Sequence, residues 1–171
     1  TARKNIFYVP TIDHNRYYVD TPQMLRYPAG ATGPLSDFIA RNLETAKKAF
    51  RAGVRFAMGS DAVYTMFGEN TRELGWFVKA GMTPEQALKT ATTGAAELLG
   101  MEDRLGKLKP GYFADIAAIE GNPLENVSAA INHVRWVMKA GAVVVDKTKY
   151  LARYRGQNVP RRRARGYPTQ A

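Results

Sequence analysis

The chain has 171 residues, with 25 lysines and arginines against 15 aspartates and glutamates, a formal charge of +10 and no cysteine. Its length and its 45% hydrophobic composition suit a folded domain and exclude a disordered or low-complexity chain. The absence of cysteine excludes disulfides, thiolate metal sites and cysteine nucleophiles. No apolar run approaches the roughly 20 residues that cross a bilayer.

The positive charge is concentrated at the C-terminus. Eight cations and no acidic residue follow Asp146, which leaves 17 cations against 15 acids in the rest of the chain. A basic tail with an Arg161-Arg162-Arg163-Ala164-Arg165 cluster can bind phosphates without reading sequence. One hypothesis is therefore a non-catalytic basic module that binds nucleic acid or a partner. We favour a terminal arm lying over the protein surface or a neighbouring subunit, because the body has no basic face.

The first elements in chain order predict a parallel strand-helix-strand unit. Residues 6–12 form a β-branched and aromatic run that is typical of a strand buried on both faces. Residues 13–34 are rich in proline and glycine and predict a loop. Ser36 predicts the start of a helix that ends near Gly53, and residues 54–59 predict a second buried strand. This order predicts parallel pairing with a right-handed crossover.

The second half predicts helices followed by short strands. A helix is expected over residues 71–79, and a second over residues 83–99, where Thr83, Pro84 and Gln86 form a capping box signature. Short strands are then predicted around Leu108 and over residues 115–119, 134–138 and 142–145.

Two side chains that can carry chemistry follow the predicted buried strands. Asp61 comes directly after the second strand, where a carboxylate in a parallel α/β fold can bind a metal or act as a general base. An aspartate in this position can equally cap the segment that follows. His14 follows the first strand and is a candidate site residue, although a solvated loop histidine is the commoner case. His133 lies 119 positions further on and is interpreted as a surface residue.

Several segments resemble the metal-dependent amidohydrolase superfamily. Residues 53–62 resemble its eighth-strand segment, and residues 8–12 resemble the seventh strand of its imidazolonepropionase-like and prolidase-like branch, which includes Xaa-Pro or Xaa-basic dipeptidases and ochratoxin-hydrolysing enzymes. The similarity continues in family order through residues 68–74, 80–88, 91–100, 105–111, 114–116, 121–124 and 137–141.

The resemblance implies an α/β fold made of the last strands and helices of a (β/α)8 TIM barrel, plus a C-terminal return into a small β-sandwich. The barrel part is expected over residues 1–104, the sandwich strands over residues 105–146 and a basic C-terminal arm over residues 147–171. The sequence starts with Thr1 at about the seventh strand, and we interpret it as a partial or processed chain. A whole barrel takes about 250 residues.

The resemblance also implies a metal site. Asp61 matches the eighth-strand aspartate that ligates zinc and acts as general base, in a centre expected to be binuclear with its other ligands outside this chain. The implied substrate-binding residues are His14, Tyr64, Met66 and Phe67. Relatives often carry histidine where Phe67 stands, which indicates a more apolar pocket here.

The implied activity is hydrolysis of an amide or peptide bond in a dipeptide or N-acyl amino acid. Metal binding would lower the pKa of the attacking water, and the carboxylate would take its proton. The expected partners are this small-molecule substrate, the N-terminal remainder of the enzyme and further copies in a homo-oligomer, without a membrane or a nucleic acid. The compartment, cytoplasmic or periplasmic and secreted, is left open.

Overall fold

The computed structural model describes residues 6–22, 30, 32–63 and 66–148. Most of the predicted basic arm and the candidate residue Tyr64 lie outside these residues. The elements in chain order are β1 (Phe7–Tyr8), α1 (His14–Asp20), α2 (Thr32–Arg51), β2 (Arg55–Phe56), a 3-10 turn (Asn70–Arg72), α3 (Glu73–Lys79), α4 (Pro84–Ala91), α5 (Thr93–Leu98), β3 (Ile116–Ile119), α6 (Ser128–Asn132), β4 (Val134–Lys139) and β5 (Ala142–Asp146).

Strands β1 and β2 pair in parallel, with Tyr8 opposite Phe56, and α1 and α2 lie between them in the chain. The predicted parallel pair is confirmed, although each strand has only two residues. The segments that follow β1 and β2 still lie close together beyond the paired residues, because Gly59 has no side chain. A Cβ atom at Gly59 would lie 2.5 Å from Cγ1 of Val9.

The prediction of a loop over residues 13–34 was wrong at both ends. Helix α1 begins at His14, and α2 begins at Thr32, so Ser36 is not its cap; the Ser36 hydroxyl instead donates to the Thr32 carbonyl at 3.0 Å. Helix α1 is stabilised by Arg16, which bonds carboxylates three positions before it and four positions after it, at Asp13 and Asp20. Such short pairs do not produce the apolar periodicity that reveals longer helices.

The predicted helix over residues 83–99 is divided into α4 and α5. Its capping box is confirmed: the Gln86 amide donates to the Thr83 hydroxyl at 3.2 Å, and the Thr83 amide donates to the Gln86 side chain at 2.9 Å. The break at Thr92 brings Gly94 against β2, where a Cβ atom would lie 3.0 Å from the Phe56 carbonyl oxygen. Tertiary packing therefore overrides the continuous helical pattern.

An aromatic core joins the parallel strands to the helices. Phe56 packs edge-on against Tyr8, Phe50 and Phe77, with ring centroids 5.2, 6.5 and 5.7 Å away. Leu74 and Phe77 from α3 are almost fully buried in the same cluster. This packing fixes α3 beneath the ends of β1 and β2.

The remaining strands form an antiparallel sheet in the order β3-β4-β5. This confirms the strands predicted over residues 115–119, 134–138 and 142–145. Within the described residues the segment around Leu108 forms no strand, and its side chain is exposed. The described part of the chain is thus α/β with two small sheets, and the domain boundaries at residues 104 and 146 stay predictions. Among the described residues no helix is both long and apolar enough to cross a bilayer.

Candidate active site

Two candidate residues meet beyond the ends of β1 and β2. Nδ1 of His14 lies 2.7 Å from the backbone carbonyl oxygen of Asp61 and 3.4 Å from its carboxylate Oδ2. Because a carbonyl oxygen only accepts, Nδ1 carries the hydrogen in this bond, and Nε2 is left for another partner. The Asp61 side chain is 64% exposed and so accessible to a ligand. The structure therefore brings together two residues that are 47 positions apart.

The backbone at this place is strained in two residues. Thr11 has φ 47° and Asp61 has φ 46°, both in the left-handed region that non-glycine residues rarely adopt. Each such conformation costs on the order of 1–3 kcal/mol and persists only where the surroundings hold it. The chain thus turns sharply after each strand, and the second turn carries the candidate carboxylate.

Glu73 binds the backbone of the first turn, directly after Thr11. It is the first residue of α3, is 0% exposed, and accepts the Ile12 amide at Oε1 and the Asp13 amide at Oε2, both at 2.8 Å. Burial raises the pKa of Glu73 to about 7, against the two amide bonds that lower it, and the Asp13 charge raises it further. The carboxylate is therefore tied to a backbone segment 60 residues away.

Asp13 forms a second anchor beside His14. It is 3% exposed, and its Oδ1 accepts from Nε of Arg16 at 2.9 Å and from Nε1 of Trp76 at 2.8 Å. Burial lowers the pKa of Arg16, but the hydrogen bonds and charges of Asp13 and Asp20 outweigh it and raise that pKa overall. Arg16 therefore stays charged and compensates the buried Asp13.

The loop after Asp61 is folded back by Asn70. Its Nδ2 donates to the Ser60 hydroxyl at 2.8 Å, and its Oδ1 accepts the Gly68 amide at 3.1 Å. Phe67, next to Gly68, is 73% exposed, whereas Met66 is 3% exposed and belongs to the core. Phe67 is thus available to a ligand in a way that Met66 is not, and the substrate-binding roles of both stay predictions.

The donor types at the strand ends suit a zinc ion, which binds carboxylates and imidazoles. Asp61 offers an exposed carboxylate, while Nδ1 of His14 already bonds the Asp61 carbonyl. Over residues 6–22, 30, 32–63 and 66–148, no three histidine or acidic side chains converge closely enough to hold a metal. Among these residues Asp61 therefore stays the candidate for a metal ligand. His133 is exposed after α6, as its surface interpretation implies.

Sequence reasoning missed Glu73, Asp13 and Asn70. Glu73 had a detectable signal, because it lies one helical turn before Phe77 on the same buried face of α3. An acid among core positions needs a partner. That partner, the backbone turn after β1, could not be identified because it lies so far away in the chain.

Comparison with known proteins now places this geometry in a family. A model of the Amidohydrolase family matches residues 3–144. Over 100 residues, 54% of this chain, the sequence is 38% identical to ochratoxinase from Aspergillus niger, and the match spans 20% of that protein. Over 70 residues, 40% of this chain, it is 36% identical to imidazolonepropionase from Geobacillus thermodenitrificans, of which the match spans 16%.

Solved structures extend the similarity. The chain superposes on a Xaa-Pro dipeptidase with methionine bound in its active site with a TM-score of 0.72 and 31% identity, over 82% of this chain and 35% of that one. For Aspergillus niger ochratoxinase the TM-score is 0.66 with 29% identity, over 86% of this chain and 33% of that one. These relatives confirm the predicted imidazolonepropionase-like and prolidase-like branch. Because the family model covers most of the sequence, the chain belongs to the amidohydrolase family.

Proposed function

We propose that this chain supplies the closing part of the active site of a zinc-dependent amidohydrolase, which hydrolyses an amide or peptide bond in a dipeptide or N-acyl amino acid. The observation that carries the proposal is the exposed Asp61 carboxylate, held beyond the end of β2 by a left-handed turn and by His14. The substrate class is supported by relatives named ochratoxinase and Xaa-Pro dipeptidase.

The proposed role of Asp61 is that of metal ligand and general base. When bound, the zinc would supply a positive charge that lowers the pKa of the attacking water. The Asp61 carboxylate accepts the proton of that water and passes it to the leaving nitrogen. Because the Asp61 carboxylate is exposed, both the water and the leaving nitrogen can approach it. The bond from His14 to the Asp61 carbonyl keeps the Asp61 backbone in one orientation.

The proposal assigns the other metal ligands to polypeptide that this sequence does not include. Zinc in a hydrolase takes three or so protein ligands and leaves a position for water. The sequence match covers only a fifth of ochratoxinase, so room for such ligands exists in proteins of this family. The activity is accordingly proposed for the complete enzyme, with a binuclear centre as the expected form.

Phe67 is proposed to contact the apolar part of the substrate. Its ring is 73% exposed on the loop that follows Asp61, and Asn70 folds that loop back toward Ser60. Apolar and aromatic side chains line most ligand pockets, so this ring can supply an apolar contact to a ligand bound at Asp61. Its removal is expected to raise KM more than it lowers kcat.

The test is Asp61→Asn in the complete enzyme, with zinc content, folding and amide hydrolysis measured together. Loss of a general base is expected to lower kcat by about 10²-fold or more, while circular dichroism stays unchanged. Asp103→Asn is the matched control, because Asp103 is an exposed aspartate on the loop after α5. Full activity of Asp61→Asn, or a complete wild-type protein that binds no metal and hydrolyses no amide, would contradict the proposal.

A further inference from the structure

We propose that Glu73 is a positioning residue, whose buried carboxylate holds the backbone turn after β1 so that His14 keeps its hydrogen bond to Asp61. The inference adds a residue to the site that the family resemblance does not assign. It rests on the proposed function only for its kinetic readout, since the contacts themselves belong to the described structure.

Glu73 binds the turn after β1 through two backbone amides. Two consecutive amides, those of Ile12 and Asp13, each donate to a different oxygen of the same carboxylate at 2.8 Å. Successive backbone N–H groups of this kind form a concave binding site for an anionic group. Glu73 therefore fixes the orientation of two peptide units rather than one atom.

This contact offsets strain in the backbone of the turn. Thr11, directly before the two amides, has φ 47°. A β-branched residue in this region is an outlier that the surroundings must hold in place. Without an acceptor for the Ile12 and Asp13 amides, the turn would gain by relaxing toward an ordinary conformation.

His14 connects the turn to the candidate base, Asp61. His14 follows the second bound amide directly and is the first residue of α1. Its Nδ1 lies 2.7 Å from the Asp61 carbonyl oxygen. A displacement of the His14 side chain by roughly 1 Å would therefore break this bond. Trp76, also on α3, donates to the Asp13 side chain at 2.8 Å and holds the same turn at a second point.

The use of a carboxylate here points to geometry rather than to stability. Burying a charged group costs more than burying an apolar side chain of similar size, even where hydrogen bonds compensate it. Glutamine in this place would replace one of the two acceptor oxygens with an amino group, which would then face a backbone N–H. The Glu73→Gln substitution therefore changes the contacts with the Ile12 and Asp13 amides with almost no change in side-chain volume.

The experiment is a double-mutant cycle in the complete enzyme with Glu73→Gln, His14→Ala and the pair of substitutions. Glu73→Gln alone is expected to lower kcat by about 10-fold or more, because small misplacements at a site are costly. In the His14→Ala background the same change is expected to lower kcat less than twofold, since the residue it acts through is gone. A purely structural role would give the same loss in both backgrounds.

Thr90→Val is the matched control. Thr90 is also a buried polar residue, and its hydroxyl donates to the Ala87 carbonyl at 2.6 Å within α4. This variant is expected to lower the unfolding temperature without changing kcat. If Glu73→Gln is unfolded, Trp76→Phe removes the second anchor and must show the same dependence on His14.

The inference is overturned if the effects of Glu73→Gln and His14→Ala on kcat multiply, or if Glu73→Gln leaves kcat unchanged. If the complete wild-type protein hydrolyses no amide, the proposed function fails, and crystal structures then decide the inference separately. In Glu73→Gln the distance from His14 Nδ1 to the Asp61 carbonyl oxygen is expected to exceed 3.5 Å, the limit of a hydrogen bond. An unchanged distance would contradict the inference directly.

Discussion

The parallel pair β1–β2 and the antiparallel sheet β3–β5 use polar groups in opposite ways. Around the parallel pair, Asp13 and Glu73 are buried and bonded to backbone or to partners distant in sequence. In the sheet, the ion pair between Lys139 and Asp115 is at the surface and joins neighbouring strand ends. The first region holds one geometry with buried charge and strained backbone, whereas the second is a three-stranded antiparallel sheet with a surface ion pair.

The largest expected difference between the regions is in their response to pH. Burial raises the pKa of Glu73 from 4.5 to about 7, so the folded protein binds more protons than the unfolded chain between these values. The free energy of unfolding therefore falls as pH rises from about 4.5 to 7, by up to about 3 kcal/mol from this group. Urea unfolding of the complete protein and of Glu73→Gln checks this, and the difference between the two is expected to shrink toward pH 4.5.

The sheet supplies the control with the opposite sign. The hydrogen bond from Lys139, together with the Ala140 amide, lowers the pKa of Asp115 from its ordinary value of 3.8. Stability from Asp115 is therefore present above that value and lost as pH falls through the lowered pKa. Asp115→Asn should leave the slope between pH 4.5 and 7 unchanged. Equal slopes for wild type and Glu73→Gln would show that Glu73, like Asp115, does not make the free energy of unfolding depend on pH between 4.5 and 7.

A second prediction concerns the close approach of the two chains beyond the parallel ladder. In Gly59→Ala the new Cβ atom would lie 2.5 Å from Cγ1 of Val9, so the Val9 side chain or the two strand segments must move. Overpacking of this kind costs about 1–3 kcal/mol, measured as a lower free energy of unfolding. Gly33→Ala is the matched control, because a Cβ atom there meets nothing within 4 Å. If the two variants are equally stable, the spacing at the site is not set by Gly59.

The sequence predicted the parallel pair and the capping box because both follow from local patterns. The apolar runs before Asp61 and His14 identify buried strands, and Thr83 with Gln86 identifies a helix start from four residues. The position of Asp61 at a strand end was predictable in the same way, and the family resemblance gave it a role.

The network behind the site was not predictable from such patterns. Glu73 accepts hydrogen bonds from amides 60 and 61 positions away, and Asp13 accepts from Arg16 of α1 and from Trp76, which is 63 positions away. Contacts between distant residues carry no periodic signal in a single sequence. Such contacts also accompany a wrong helix length, that of the single helix predicted over residues 83–99. Gly94 packs against β2 at the break between α4 and α5.

A third prediction separates the two nitrogens of His14. In His14→Asn the side-chain amide can take the place of Nδ1 and keep the bond to the Asp61 carbonyl, whereas the longer side chain in His14→Gln reaches toward the place of Nε2. If positioning of Asp61 dominates, Asn is expected to retain roughly 2- to 10-fold more kcat than Gln, which corresponds to one net hydrogen bond of 0.5–1.5 kcal/mol. The reverse order, or a change in KM alone, would favour the substrate-binding role instead.

The smallest effect is expected from the surface ion pair of the sheet. Nζ of Lys139 lies 2.7 Å from Oδ2 of Asp115, and the Lys139 side chain is 70% exposed. Water and salt screen such a pair, so Lys139→Gln is expected to shift the unfolding temperature by less than about 3 °C, and this shift should vanish near 1 M salt. The effect of Glu73→Gln, from a buried group, should persist at the same salt concentration. A large, salt-resistant loss from Lys139→Gln would mean that the sheet, like the parallel pair, depends on a fixed polar contact, and the contrast between the two regions would then disappear.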